Sequence, residues 1–433
     1  MKKKPLLLLF GVLFISLLPL LPWYFLGPTS TLPFTYENVT HGLGQLCALV
    51  GMTLFALSFV LSTRLKIIDR LAGGLDKVYV VHRIVGSLAF VLLLFHPLLL
   101  VFKFLPDQVN LAARYLLPGH GLSVDLGIIA LAGMLLLLGI TFYVRINYHY
   151  WKFSHKFLSL FFIIASLHVL LVRGTASRDY IFAGYYVYAG LVAIIGTVAF
   201  LYALFLKGGR RLTYVVSSIT RDGDSIYDIV MLPKEKSLFY QAGQFAFFSF
   251  HNAQLGSEFH PFSLASAPTE KSLRIIVKSL GDYTSKLHYL RKGDLVSVEG
   301  PYGGFTLNTR QGDQIWIGAG IGITPFIGLA KELLTQQNPQ RNVTLYYCTR
   351  SMKEMVALKE LQAIAQDKRS GLHLVLWCSD TKGRISSSHF SSLSKKSLVY
   401  LCGPEEMKRS LISQLLKRGV PAKNIFSEEF GFK

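Results

Sequence analysis

Apolar residues run almost without interruption through about the first 206 positions, and two pairs of histidines sit inside those runs, His82 with His96 and His155 with His168. An apolar run of some 20 residues has the length to cross a bilayer as a helix. Six such stretches can be marked, at roughly 5–26, 42–62, 82–104, 122–144, 156–173 and 181–206. The third and fifth carry the histidines.

The histidine spacing has a geometric meaning. At about 1.5 Å of rise per residue, 13 or 14 residues of helix set two imidazoles roughly 20 Å apart. One ring of each doublet then lies near each side of a hydrocarbon core about 30 Å thick. Imidazole is a normal axial ligand of haem iron, and an ionisable ring inside a membrane segment calls for a functional explanation. A lone histidine there would more often be packed or hydrogen-bonded; two matched doublets point to two bis-histidine haems. The fit is uneven. On an ideal helix the first spacing turns the second ring by about 40°, the other by about 140°, so the fifth span is expected to be kinked or overwound, or its rings to approach at different angles.

With 433 residues and 51% hydrophobic content, the chain is too apolar for an ordinary soluble protein and long enough for several domains. Lys2, Lys3, Lys4, Arg64, Lys66, Arg70, Lys77, Arg83, Arg145, Lys152, Lys156, Lys207, Arg210 and Arg211 collect on one side of the expected bundle, against Lys103, Arg114, Arg173 and Arg178 on the other. The richer side is read as cytoplasmic, with both termini inside, His82 and His155 near the inner face, and His96 and His168 near the outer. The haem pairs expected are therefore His82 with His155 and His96 with His168. No small-residue cleavage site follows the opening basic and apolar stretch, so a retained first helix is expected rather than a signal peptide. The four cysteines, Cys47, Cys348, Cys378 and Cys402, show no CxxC spacing, which argues against an iron–sulfur or zinc site and implies no disulfide framework.

After the short Lys207-Gly-Gly-Arg-Arg211 linker the pattern becomes that of a globular protein. Short β-rich runs such as Phe245–Phe250 and Leu273–Val277, separated by turn residues, predict a small antiparallel β-barrel over 208–310. From Gln314 strand, loop and helix alternate, with strands expected at Gln314–Gly318, Asn342–Tyr347, Leu372–Trp377 and Leu398–Leu401. That alternation predicts an α/β Rossmann-like domain over 311–433, behind a six-helix transmembrane domain over 1–207.

Gly318-Ala-Gly-Ile-Gly-Ile-Thr-Pro325 lies directly after a strand and before a helix. Glycines there let backbone approach a pyrophosphate, and a helix N-terminus offers free N–H groups. Arg350 follows the next strand, where a cation meets the 2′-phosphate of NADPH or is simply a surface charge. In the barrel, His260-Pro-Phe-Ser263 offers an aromatic ring, amides and a hydroxyl to a flavin. Lys278-Ser-Leu-Gly-Asp-Tyr-Thr-Ser285 opens an expected helix that could hold a pyrophosphate.

Taken together, His260–Ser263, Gly300-Pro-Tyr-Gly303, Gly318–Pro325 and Cys402-Gly-Pro404 resemble, in order, the motifs of ferredoxin-NADP reductase-type flavoproteins. Joined to the histidine-bearing helices, they make nearly the whole chain resemble the NADPH oxidase and ferric reductase superfamily, closest to the compact bacterial NADPH oxidases. The resemblance implies that His260, Pro261, Phe262 and Ser263 contact FAD, with Lys278, Gly281 and Thr284 at its ribityl-phosphate region. It implies that Gly318, Gly320, Ile321, Gly322, Thr324 and Pro325 cradle NADPH, with Arg350 on the 2′-phosphate and Cys402, Gly403 and Pro404 beside the nicotinamide. A near-terminal aromatic, Phe432 before Phe430, covers the flavin. Ser263, Thr324, Cys402 and Phe432 are thus expected nearest the hydride transfer. One position departs from the eukaryotic oxidases: the further histidine one turn beyond the outer ligand is here Leu100.

The function implied is electron transfer from cytosolic NADPH through FAD and two b-type haems to an acceptor across a plasma membrane. Dioxygen, giving superoxide, is the expected acceptor; a ferric chelate or an extracytoplasmic protein are the rivals, and a nucleotide-sensing transporter would carry no haem. No nucleic acid and no obligate protein partner are expected.

Overall fold

The computed structural model describes residues 3–20, 35–144, 148–172, 179–206, 211–222, 225–307, 313–335, 342–391 and 393–428. The chain forms two compact units, one of Pro5–Leu65 and Val78–Lys207, the other of Met1–Lys4, Lys66–Lys77 and Gly208–Lys433.

The N-terminal helices are α1 (Lys3–Leu17), α2 (Tyr36–Ser62), α3 (Lys66–Ala72), α4 (Leu75–Val101), α5 (Val109–Tyr115), α6 (Leu122–Tyr143), α7 (Tyr148–Lys156), α8 (Leu158–Leu171) and α9 (Asp179–Leu201). Among the described residues five helical stretches, Tyr36–Ser62, Leu75–Phe104, Leu122–Thr141, Tyr150–Leu171 and Tyr186–Phe205, are long and apolar enough to cross a membrane. The expected first span, 5–26, is described only as far as residue 20. The chain is a multi-pass membrane protein. Val187, Leu191, Ile194 and Val198 on α9 stay exposed, as a lipid-facing stripe would.

Small residues let these helices close. A Cβ on Gly196 of α9 would stand 2.4 Å from Phe162, and one on Gly133 of α6 would stand 2.0 Å from Phe161. Phe162 in turn meets Phe55 and Phe59 of α2 edge-on at 5.2 Å. Glycine thus supplies the close approach that apolar bulk alone cannot. The fifth span is broken where α7 meets α8. Phe157 N–H donates to the Ser154 carbonyl and Leu160 N–H to that of Phe157, each at 3.0 Å, both three residues back. Three residues at this tighter pitch add about 60° of rotation, cutting the angular offset of the two histidines from about 140° to about 80°.

In the second unit, β1 (Leu212–Asp222), β2 (Ile226–Pro233), β3 (Phe245–His251), β4 (His260–Ser263), β5 (Leu273–Lys278) and β6 (Leu295–Tyr302) form one antiparallel sheet in the order β4-β3-β6-β1-β2-β5. Alternating residues Tyr214, Ile229, Met231, Phe248, Phe250, Val296 and Val298 bury its inner face. Where a barrel was expected, the ladders leave β4 and β5 as edges. They are tied just past β4 by Ala265 N–H donating to the Arg274 carbonyl at 2.8 Å.

The second sheet joins β7 (Gln314–Ala319), β8 (Val343–Thr349), β9 (Leu372–Cys378), β10 (Leu398–Cys402) and β11 (Ile425–Ser427), all parallel, in the order β11-β10-β7-β8-β9. Helices α10 (Thr324–Thr335), α11 (Leu358–Gln366), α12 (Ser379–Lys382) and α13 (Glu405–Lys417) complete it. Its core holds Trp316, Phe326, Tyr347 and Tyr400. The order reverses between β7 and β10, the point at which open α/β sheets bind ligands beyond the strand ends. The two sheets are fastened together. A Cβ on Gly328 of α10 would fall 2.8 Å from the Leu264 carbonyl, and Arg274 bridges Asp228 at 2.6 Å and Glu360 at 2.7 Å.

Candidate functional site

Within the helical unit, α4 and the α7–α8 span bring the four histidines together in pairs. His82 faces His155 with ring centroids 6.4 Å apart and planes at 70°; His96 faces His168 at 6.4 Å and 60°. Three rings are anchored through Nδ1 to main-chain oxygen: His82 to Ser58 at 2.9 Å, His96 to Gly44 at 2.8 Å and His168 to Ser123 at 2.6 Å. An Nδ1–H donated to a carbonyl leaves the Nε2 lone pair free to bind a metal. A Cβ on Gly127 of α6 would sit 2.8 Å from the His168 ring, so that glycine makes room for it. The anchoring carbonyls, Gly127 and Trp151, which stacks on His155 at 5.2 Å and 21°, have no sequence signature.

In the second unit the switch point is built from backbone. Cys402 pairs with Gly318 across β10 and β7, so the glycine loop and Cys402-Gly403-Pro404 lie side by side. Gly320 has φ +54° and open space at its Cβ position, whereas a Cβ on Gly322 would stand 2.5 Å from the Cys402 carbonyl. The two glycines serve different needs, a left-handed turn facing open space and a close backbone approach. Ile321 continues the turn, and α10 starts at Thr324-Pro325. Proline suits a helix's first turn, where no N–H partner is available.

Several expected side chains are turned inward. Thr324 is 3% exposed, and its hydroxyl donates to the Ile321 carbonyl at 2.8 Å. Ser263 is buried at the end of β4, and the Cys402 side chain is in the core, where burial pushes the thiol's pKa up; only Cys402's backbone reaches the crevice. Arg350, just past β8, is exposed. Its N–H donates to Glu354 at 3.4 Å. Phe430 and Phe432 lie outside the described residues.

The two barrel motifs meet through a contact that spacing did not reveal. The His260 ring stacks on Tyr283 at 3.6 Å and 23°, and its Nε2 lies 3.1 Å from Glu258. Pro261 and Phe262 remain half-buried on β4, and Lys278 is exposed at the end of β5. The expected helix after Lys278 is only a 3-10 segment, Thr284–Tyr289. Thr284 Oγ1 accepts from Leu280 and Gly281 N–H at 2.9 and 3.1 Å, which ties the turn's amides to its own threonine.

A buried charge cluster also escaped sequence reading. Asp76, Lys77 and Glu428 line a small cavity of about 20 Å³. Lys77 pairs with Asp76 and donates to the Ser427 carbonyl at 3.1 Å, while Lys408 donates to the Glu428 carbonyl at 2.6 Å. Burial, with Asp76 adding, raises the Asp69 carboxyl to about 6 and pushes Glu428 well above the usual carboxylate range.

Family models match three successive segments: a ferric reductase like transmembrane component over residues 47–166, an FAD-binding domain over 216–306 and an oxidoreductase NAD-binding domain over 316–412. The chain belongs to the NADPH oxidase and ferric reductase superfamily. It is an oxidoreductase whose membrane helices are joined to a ferredoxin reductase-like half with FAD- and NAD(P)H-binding domains. The ferredoxin reductase component of 3-ketosteroid-9-alpha-monooxygenase from Rhodococcus rhodochrous is 28% identical over 233 residues, 52% of this chain and 66% of that protein. Flavohemoprotein A of Dictyostelium discoideum is 27% identical over 196 residues, 42% and 49% of the two chains. The chain thus spans about half to two thirds of the length of these curated relatives. The flavohemoglobin of Malassezia yamatoensis shares its fold alone, with TM-score 0.52 at 21% identity over 92% of this chain and 100% of that one.

Proposed function

We propose that this protein carries electrons from NADPH across a membrane through FAD and two bis-histidine haems, and delivers them to dioxygen as superoxide. The observation that carries the reading is the pair of facing histidine couples. An imidazole nitrogen binds a metal at about 2.0 Å, and the ring centroid lies about 1.1 Å behind it, so two rings sharing one iron stand roughly 6.2 Å apart. Both couples stand at 6.4 Å. His82 and His155 would hold one haem, His96 and His168 the other. Bound flavin would turn a hydride into single electrons and haem iron would pass them on one at a time.

The residues themselves position and exclude. The backbone between β7 and β10 would seat the pyrophosphate of NADPH, with Arg350 on its 2′-phosphate and Cys402–Pro404 bordering the nicotinamide; β4 and the turn before Thr284 would hold FAD. The basic side of the bundle would face the cytoplasm at a plasma membrane. His82 with His155 and His96 with His168 would hold the two haems, which would supply one-electron transfer.

An absorption spectrum of the purified protein before and after NADPH tests this. Two low-spin haems per chain, reduced through the flavin, are expected, together with cytochrome c reduction abolished by superoxide dismutase. Ferric chelate reduced at full rate without oxygen, and no superoxide in air, would overturn the oxidase reading.

A further inference from the structure

Glu428, directly after β11, is 4% exposed, and neither of its carboxyl oxygens has a hydrogen-bond partner among the described residues. It lines the cavity of about 20 Å³ together with Gly73, Asp76, Lys77, Gly304 and Ser427. Residues Lys66–Lys77 belong to the same compact unit as β11, and glycines fit the two together. A Cβ on Gly304 would stand 2.6 Å from the Gly73 carbonyl, and one on Gly303 would stand 3.0 Å from Glu428 Oε1.

The charges of this cluster do not balance. Lys77 pairs with Asp76 and donates to the Ser427 carbonyl at 3.1 Å. Lys408, on α13, donates to the Glu428 carbonyl at 2.6 Å and pairs at 2.8 Å with Glu405, whose carboxylate is half exposed. The inner acids are Glu428, Asp76 and, acting on Asp76 from α3, Asp69. The Cys402 thiol, which faces Glu428 from β10, is pushed up in pKa by burial and is neutral. Three carboxylates against two ammonium groups leave one negative charge over, and a buried unpaired charge is costly enough that the group takes up a proton instead. Asp76 has its lysine, whereas Glu428 has no bond to either oxygen, so the proton belongs on Glu428. A polar space of this size also suits one water, which would accept from the protonated Glu428 and donate to Asp76.

We infer that Glu428, Asp76 and Lys77 form a proton-binding joint, in which a proton on Glu428 and a water in the cavity hold the Lys66–Lys77 segment against β11. Leu75–Lys77 is the first turn of α4, the helix that bears His82 and His96, and the joint fixes that turn. Its pH dependence follows from linkage. The docked segment binds the proton more tightly than the loosened one, so docking is complete at neutral pH and weakens as pH rises through the raised value of Glu428. The joint stands on its own, whatever the histidines hold.

Infrared spectra and hydrogen exchange of the full-length protein test it. A protonated-carboxyl C=O band that shifts in deuterated water is expected at neutral pH, and Glu428→Gln should remove it. Exchange protection of residues 66–77, corrected for the intrinsic rate, should fall about tenfold per pH unit above its alkaline onset. In Glu428→Gln, whose amide is neutral at every pH, protection should stay level. Asp76→Asn takes away one of the acids, so the same band should weaken at neutral pH although Glu428 is untouched. A band unchanged in Glu428→Gln, the same alkaline fall in that variant, or a native band in Asp76→Asn would each overturn the inference. So would a Glu428→Gln protein that fails to fold at neutral pH, since the joint should accept a neutral isostere.

Discussion

Replacing Gly127 with alanine would put a methyl group where the His168 ring now lies. The new Cβ would stand 2.8 Å from Cε1 and Nδ1 and 3.0 Å from Nε2, whereas non-bonded carbons rest at about 3.5–4.0 Å. The ring would have to retreat by roughly 0.7 Å or more. It has little freedom to do so, because Nδ1 is tied to the Ser123 carbonyl at 2.6 Å and its face is set against His96 at 6.4 Å. Alanine gains about 1 kcal/mol of helix propensity over glycine, but overpacking costs about 1–3 kcal/mol and a lost hydrogen bond about 1 kcal/mol more. The balance is a loss of about 1–3 kcal/mol. Disturbing the support of a metal-binding histidine costs about 10–100-fold in affinity. Haem content of the purified Gly127→Ala protein, measured against FAD, should therefore fall by one of two haems, while NADPH still reduces the flavin. Full haem content with an unchanged spectrum and unchanged Tm would refute the reasoning.

Other outcomes follow from the nucleotide crevice and the charge cluster. Gly322→Ala drives a Cβ to within 2.5 Å of the Cys402 carbonyl and 2.8 Å of the Gly403 nitrogen; backbone cannot swing aside, so about 1–3 kcal/mol of strain should appear as a raised KM for NADPH and a lowered Tm. If Arg350 meets the 2′-phosphate as proposed, Arg350→Ala would remove a charged hydrogen bond of about 1.5–3 kcal/mol and should raise KM for NADPH roughly 10-fold or more while leaving NADH unaffected; equal effects on both coenzymes would deny the 2′-phosphate role. Asp69 holds its proton to about pH 6 rather than the ordinary 3.8. The folded state therefore binds more protons than the unfolded chain over roughly pH 4 to 6, and stability falls as pH rises through that window. Asp69→Asn should remove that fall and raise stability at pH 7 by up to about 3 kcal/mol, read as Tm against pH.

Much of the site was legible because its signals are local. The glycine loop is a strand, a turn and a helix start within eight residues, and the expected strands at Phe245, Leu273, Gln314, Asn342, Leu372 and Leu398 each begin within one residue of those observed. What spacing could not reveal were contacts between distant segments. β11 is three residues long, too short to show a period. The stacking of His260 on Tyr283 depends on how β4 and a later turn meet, and the pairing of Lys77 with the Ser427 carbonyl joins positions 350 residues apart. The motifs gave no sign that the side chains of Cys402 and Thr324 are buried, Cys402 at the end of β10 and Thr324 at the start of α10, where its hydroxyl donates back to the Ile321 carbonyl.

The sequence alone determined that the first half must be helical and membrane-crossing, since its apolar runs have that length, and that polar imidazoles at 82, 96, 155 and 168 stand out against them. It marked too a glycine loop between a strand and a helix, because glycine spacing beside a strand is a one-dimensional signal. Only the tertiary structure decided how those imidazoles are held. The tighter turn at Phe157 rotates His155 and His168 toward α4, and main-chain oxygens of Gly44, Ser58 and Ser123 fix three rings while Trp151 steadies the fourth. A carbonyl is present at every residue, so no sequence shows which one will accept a hydrogen bond from a given ring; that choice belongs to packing.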